Sequence, residues 1–251
     1  LNMSSSVPIL PASFHKSYAV APASPLSPFV ATIKSWNVQN FKKLVEQYPE
    51  HNFSLITEKE ELTFSILLEI EPDFLFFPHW SLIIPESIYR NYNCVVFHMT
   101  DLPFGRGGSP LQNLLIRGIY DTKITALKVE AELDAGDVYF KEPIDISTGN
   151  ANEIFFEISN LIFNRMIPQF ITGNPILQPQ EGEPTVFTRR LPEQSEIPKG
   201  LSQRQIYDYI RMLDGEGYPA AYTKYQCGKV YYKNATLKDG VVYAEAEFRR
   251  E

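Results

Sequence analysis

The sequence predicts an α/β fold, a mostly parallel sheet covered by helices on both faces, followed by a small α+β or β-rich C-terminal domain. Three observations predict it. Short β-branched or aromatic runs alternate with segments of helical periodicity through the first 170 or so residues, the pattern of strand–helix–strand units. The 251-residue chain is 44% hydrophobic and 13% aromatic, enough for a sizeable core. From Gly173 onward prolines and polar residues take over, before an antiparallel kind of alternation begins at Tyr222.

Residues 29–33 form a short buried strand. Residues 37–48 place Phe41, Leu44 and Val45 on one helical face, and 53–56 is a second strand. Residues 60–70 carry Leu62, Ile66, Leu67 and Ile70 at helical spacing, ahead of the Pro72-Asp73 break. Strands follow at 74–77 and 94–97. A helix over 109–117 opens with Ser109 as N-cap and Pro110 at N1, and closes at Gly118. Strands at 125–130 and 138–141 flank a sharp Asp134-Ala135-Gly136-Asp137 turn, and 151–170 is one long amphipathic helix.

The catalytic-size unit therefore runs over 29–172. Pro175, Pro179, Pro184, Pro192 and Pro198 mark 173–200 as a linker wrapping it. In the small domain, 201–251, a helix over 202–213 precedes strands at 222–225, 230–232 and 241–248. Its tyrosines, Tyr218, Tyr222, Tyr225, Tyr231 and Tyr232, are assigned to packing. Residues 1–28 hold Pro8, Pro11, Pro22, Pro25 and Pro28 and almost no charge, and read as a flexible extension without the apolar run of a secretory signal.

A formal net charge of −7 gives no global pull toward nucleic acid or anionic membrane. No apolar run approaches the ~20 residues a spanning helix needs. Cys94 and Cys227 are far apart and lack metal-site spacing, so neither a metal nor a structural disulfide is expected, and a reducing cytoplasm fits. His15 and His51 have no evident partners in sequence.

The chemistry concentrates in the run Val95-Val96-Phe97-His98-Met99-Thr100-Asp101-Leu102-Pro103-Phe104-Gly105-Arg106-Gly107-Gly108-Ser109-Pro110. A strand delivers His98 at its carboxyl end, beside a glycine- and arginine-containing loop. In open α/β sheets that edge is where ligands bind.

This run, followed by Leu133-Asp134-Ala135-Gly136-Asp137 and by Gln178-Pro179-Gln180-Glu181-Gly182 before Thr185, resembles the signature of the folate-dependent formyltransferases. The similarity spans about 29–190 and implies a Rossmann-like formyltransferase domain. It implies transfer of a formyl group from 10-formyltetrahydrofolate to a primary amine through a tetrahedral oxyanion, which needs a proton acceptor and oxyanion donors. By the same resemblance His98 acts around the oxyanion, and Asp134 orients His98 and assists proton removal.

The resemblance also implies a pterin site between Trp80-Ser81-Leu82-Ile83-Ile84-Pro85 and Glu132-Leu133-Asp134, with Trp80, Leu82, Ile84, Leu133 and Asp134 as contacts. Thr100, Arg106, Gly107 and Asn113 are the expected acceptor contacts, Arg106 meeting an anionic group such as phosphate. One departure stands out. The family's asparagine, two positions before the histidine, falls at Val96, which cannot donate a hydrogen bond. His79 is the expected replacement, with Asn113 and Thr100 behind it.

The expected acceptor is a nucleotide-linked amino sugar. The chain is short for a methionyl-tRNA formyltransferase, its acidity disfavours a polyanionic partner, and Met99-Thr100-Asp101 stand where the family has Pro-Ser-Leu. The alternatives are methionyl-tRNA formylation, hydrolysis of formyl-folate, and a folate- or nucleotide-binding module that has lost turnover. A homodimer is possible on this reading, and a membrane or nucleic-acid partner is not expected.

Overall fold

A computed structural model describes residues 24–250. The expected extension at 1–28 lies outside the described residues as far as 23, and so does His15. Its last residues are tied down. Leu26 N–H donates to His51 Nδ1 (3.0 Å), Asn52 N–H to Leu26 O (2.8 Å) and Ser27 N–H to the Asp73 carboxylate (2.7 Å). His51 therefore does have a partner, and Leu26 and Ser27, placed in the extension, are bonded to the main domain.

The first half alternates as the periodicity requires: β1 (Pro28–Ala31), α1 (Ser35–Gln47), β2 (Ser54–Ile56), α2 (Phe64–Ile70), β3 (Phe74–Phe77), α3 (Glu86–Tyr89) and β4 (Cys94–His98). The helix expected over 60–70 is split, because Thr63 caps α2 with its hydroxyl on Ile66 N–H and leaves Lys59–Glu61 as a separate 3₁₀ turn. After β4 come the two-residue β5 (Arg106–Gly107), α4 (Pro110–Ile116), β6 (Asp121–Lys128) and β7 (Val138–Asp145). Pro110 occupies the first turn of α4 as expected. Ser109 holds the N-cap position as expected, at φ 52, but its hydroxyl does not cap the helix and accepts the Arg190 N–H instead.

The six-stranded sheet has the order β2-β1-β3-β4-β6-β7. The β1–β2, β1–β3 and β3–β4 pairs are parallel, and β4–β6 and β6–β7 antiparallel. Alternation along the strands feeds two layers. Val30, Phe76, Val95 and Ala126 join Leu44, Leu114, Phe163 and Phe170 on one face; Phe29, Ala31, Leu75 and Phe77 join Leu67 and Ile88 on the other. Each such buried Val, Leu, Ile or Phe side chain contributes about 1.5–3 kcal/mol by leaving water, an alanine methyl under about 1.

The long helix is interrupted. α5 (Ala151–Leu161) passes through a π turn at Ile162–Met166 into α6 (Ile167–Thr172). Pro168 lacks an N–H, and widening the turn ahead of it accommodates the ring without a break.

Residues 173–200 run over the main domain, contributing β8 (Val186–Phe187), which pairs in parallel with β5. Beyond them, α7 (Gln203–Arg211) leads to an antiparallel meander of β9 (Ala221–Tyr225), β10 (Gly228–Lys238) and β11 (Val241–Arg250). The expected boundary at 201 does not separate two cores. Tyr209, Ile210, Met212, Leu213 and Ala221 belong to the first core, because α7 is pinned there by Arg211. That guanidinium is fully buried and donates to Asp208 Oδ1 (2.7 Å) and to the carbonyls of Ile146, Thr148 and Gly149.

Candidate active site

The connection from β1 to β2 and that from β3 to β4 run in opposite directions along the sheet, which makes the carboxyl ends of β1 and β3 the switch point where sheets of this kind bind ligands. His98 is the last residue of β4, opposite Thr125, and only 8% exposed. Its Nε2 lies 2.8 Å from Gly105 O. A carbonyl only accepts, so Nε2 carries the hydrogen. Nδ1 faces Asp134 Oδ2 at 3.4 Å.

Asp134 reaches His98 from the turn between β6 and β7, at φ 54. The same Oδ2 accepts Gly107 N–H (2.9 Å). Glycine is required on both sides of that approach. A Cβ on Gly136 would sit 1.9 Å from Lys128 O, and one on Gly107, at φ 98, would sit 2.6 Å from Phe187 O.

The segment after 173 holds both loops in place. Gln180 donates to Asp134 O and Gly136 O (2.8 Å each) and accepts from Arg106 Nε and Nη2 (3.2 and 2.9 Å). Thr185 Oγ1 accepts Gly105 N–H (2.7 Å), and its carbonyl accepts Arg106 N–H (2.9 Å). The reading of 173–200 as a linker missed these roles. The signal available was the Gln178–Thr185 stretch, which had a place in the family pattern but no assigned contact.

Several expected acceptor contacts are occupied inside the fold. Arg106 spends its guanidinium on Gln180 and on Glu132 Oε1 (3.3 Å), so it is not a free anion receptor. Asn113 Nδ2 faces the carbonyls of Gly108, Ser109 and Thr188, and its Oδ1 accepts from Arg117. Thr100 is buried with its hydroxyl on Gly105 O. Asp101 bridges Lys141 and Lys123; burial pushes its carboxyl up, but the two ammonium groups outweigh that and hold it below the ordinary range.

On the expected pterin side, Ile84 is turned into the core, whereas Ile83 and Leu133 stand 91% and 69% exposed. Leu82 is half-buried, and Trp80 packs edge-on against Phe77 with its indole N–H unpartnered. His79 touches neither His98 nor Asp134. Its ring lies edge-on to Trp36 and Phe155, with Nδ1 3.3 Å from Asn37 Nδ2. Burial, helped by the Lys34 charge, lowers its pKa to about 4.

Two of the clefts on the surface of the described residues lie outside the His98–Asp134 pair. One, of about 410 Å³, is lined by Trp36, Asn152, Glu153, Phe156, Glu157 and Glu216. The other, about 480 Å³, includes Pro72, Tyr89 and Asn93, at the amino ends of β3 and β4, the wrong edge for a ligand of this sheet type. Among the described residues no group of three or more His, Cys, Asp or Glu could hold a metal, and no helix is long and apolar enough to cross a membrane.

A solved structure named methionyl-tRNA formyltransferase from Clostridium thermocellum is 51% identical, with a TM-score of 0.86 over 90% of this chain and 100% of that one. The chain belongs to the folate-dependent formyltransferase superfamily. A family model described as the C-terminal domain of methionyl-tRNA formyltransferase matches residues 192–249. The methionyl-tRNA formyltransferase of Bacillus thuringiensis (strain Al Hakam) is 30% identical over 176 residues, 67% of this chain and 54% of that protein. The chain thus spans about half the length of the curated relatives it matches. HypX from Aquifex aeolicus in complex with tetrahydrofolic acid shares the fold, at 19% identity and a TM-score of 0.69 over 86% of this chain and 38% of that one. Within the superfamily pattern, Val96 is half-buried among Leu102, Leu127 and Val138, so no side-chain donor comes from the asparagine position.

Proposed function

We propose that this protein transfers a formyl group from 10-formyltetrahydrofolate to a primary amine. The observation that carries the reading is the His98–Asp134 pair at the carboxyl edge of the sheet, 3.4 Å apart. With Nε2–H committed to Gly105 O, Nδ1 is the basic nitrogen. A proton shed by the attacking amine is shared between Nδ1 and the carboxylate, and the positive ring is stabilised where it forms. Trp80, Leu82 and Leu133, with exposed Ile83 beside them, supply apolar walls for the pterin ring.

The oxyanion also needs a donor. Thr100 and Asn113 direct their hydrogens at internal carbonyls. His79 has an unpartnered Nε2 and a ring that stays neutral at physiological pH, so it remains the donor in place of the missing asparagine.

The acceptor in the names of the Clostridium thermocellum and Bacillus thuringiensis relatives is methionyl-tRNA, which makes its amino group the first to test. The amino-sugar reading is kept as the second, because a net charge of −7 opposes a polyanionic partner. The experiment mixes the protein and 10-formyltetrahydrofolate with methionyl-tRNA, with nucleotide-linked amino sugars, or with no acceptor. A formylated product names the acceptor, and tetrahydrofolate released without acceptor marks a hydrolase. Folate binding with no consumption in any arm overturns the enzyme reading.

A further inference from the structure

Among the described residues six buried side-chain nitrogen or oxygen atoms lack a partner, and three of them, Trp36 Nε1, Asn37 Oδ1 and His79 Nε2, come from neighbouring side chains between β3 and the start of α1. The Trp36 and His79 ring centroids are 6.1 Å apart. Native interiors pair nearly all such atoms, so three orphans in one place point to a ligand. His79 also sits at φ 51, a strained conformation for a non-glycine residue and one that concentrates at functional sites.

The neighbours of Asn37 determine what His79 can do. Asn37 is fully buried, and its amide nitrogen faces Thr32 Oγ1 (2.7 Å), Pro78 O (3.1 Å) and His79 Nδ1 (3.3 Å). The amide has two hydrogens for these three acceptors: Thr32 Oγ1 takes one, and because the Thr32 hydroxyl already serves Pro78 O, the second is shared with Nδ1, which accepts it and leaves the ring hydrogen on Nε2. Thr32 braces the arrangement by donating to Pro78 O (3.0 Å). Phe77 pairs with Val96 across β3 and β4, so His79 and His98 each lie two residues beyond a matched pair, at neighbouring strand ends.

We propose that Asn37 is a positioning residue which fixes His79 as the Nε2–H form and thereby creates the hydrogen-bond donor that Val96 cannot supply. The proposal deepens the formyl-transfer reading and rests on it. Burial, with the Lys34 charge as the smaller contribution, keeps the ring uncharged and a donor at neutral pH.

The test combines ring ¹⁵N spectra of the intact protein with kinetics. In the wild type the spectrum should show a bare Nδ1 and a protonated Nε2 for His79 at pH 7; a protonated Nδ1 overturns the proposal without any variant being made. Asn37→Leu should mix the two ring forms and lower kcat at least tenfold, with KM for the formyl donor within threefold. Adding Val96→Asn to Asn37→Leu, or to His79→Ala if the leucine variant does not fold, should recover most of that loss, which a merely structural role would not allow. A kcat within threefold of wild type in Asn37→Leu, or no recovery with Val96→Asn, refutes it. If the wild type transfers no formyl group to any acceptor, the functional reading fails, while the wild-type and Asn37→Leu spectra compared still decide whether Asn37 sets the ring form.

Discussion

Asp134→Asn isolates charge from shape. Both neighbours of the carboxylate, His98 Nδ1 at 3.4 Å and Gly107 N–H at 2.9 Å, meet the same oxygen. Asparagine will place its carbonyl there, because its amide would set donor against donor at Gly107. Geometry is then kept and the charge is lost. A unit charge 3.4 Å from the imidazolium is worth about 5 kcal/mol at an effective dielectric of about 20. Desolvation and residual exposure bring the realised share to about half. At 1.36 kcal/mol per decade this lowers kcat by roughly 10²-fold. Single-turnover formyl transfer is the assay, with thermal unfolding as the control for an intact fold. A kcat within threefold of wild type, about 0.6 kcal/mol, would refute the claim that this carboxylate stabilises the ring during transfer.

Arg211→Met removes the buried anchor of α7, leaving Asp208 one partner short and three carbonyls unpaired. The expected cost is about 3–5 kcal/mol, or a Tm lower by roughly 6–20 °C, and a loss under about 1 kcal/mol in urea would contradict it. His79 makes stability depend on pH. Its folded value of about 4 lies below the ordinary 6.5, so the unfolded chain takes up the proton first; the contribution is complete above 6.5 and is lost as pH falls toward 4. About 2 kcal/mol should disappear between about pH 7 and pH 5, and His79→Phe should abolish that part; equal slopes in both proteins would exclude the assignment. Burial pushes the Cys94 thiol up to about 12, while Cys227 is exposed. Alkylation near pH 8 should therefore label one thiol in the native protein and two in denaturant, and two native labels would show the β4 layer to be open.

Legibility in the sequence followed the range over which each feature is specified. Strand–helix alternation and the Asp-Ala-Gly-Asp turn are local, so β1 to β4, His98 and Asp134 could all be located. Strand limits set by a distant partner could not. β6 begins at Asp121 rather than 125 because β7 pairs along its whole length, and β10 and β11 extend through polar residues for the same reason. Ser109 looked like a cap because its type is right, but Arg190, 81 positions away, claims the hydroxyl. Gln180 and Thr185 act on partners 74 and 80 positions away, and no periodicity announces such contacts. Asn37 falls on a helix start, where an asparagine attracts no notice. Arg106 and Asn113 show what chemistry in a loop cannot reveal from sequence: both already hold partners within the fold.

The hold of Gln180 and Thr185 on two loops made much earlier in the chain has a consequence for biosynthesis. A nascent polypeptide released as far as Thr172 would lack the Gln180 and Thr185 contacts on Asp134, Gly136, Gly105 and Arg106, leaving those loops the contacts they make with His98, Thr100 and each other. Competence to react therefore arrives late, once the stretch through Phe187 has emerged and docked, and the same core is completed only when Tyr209, Ile210, Met212 and Leu213 of the α7 region follow it.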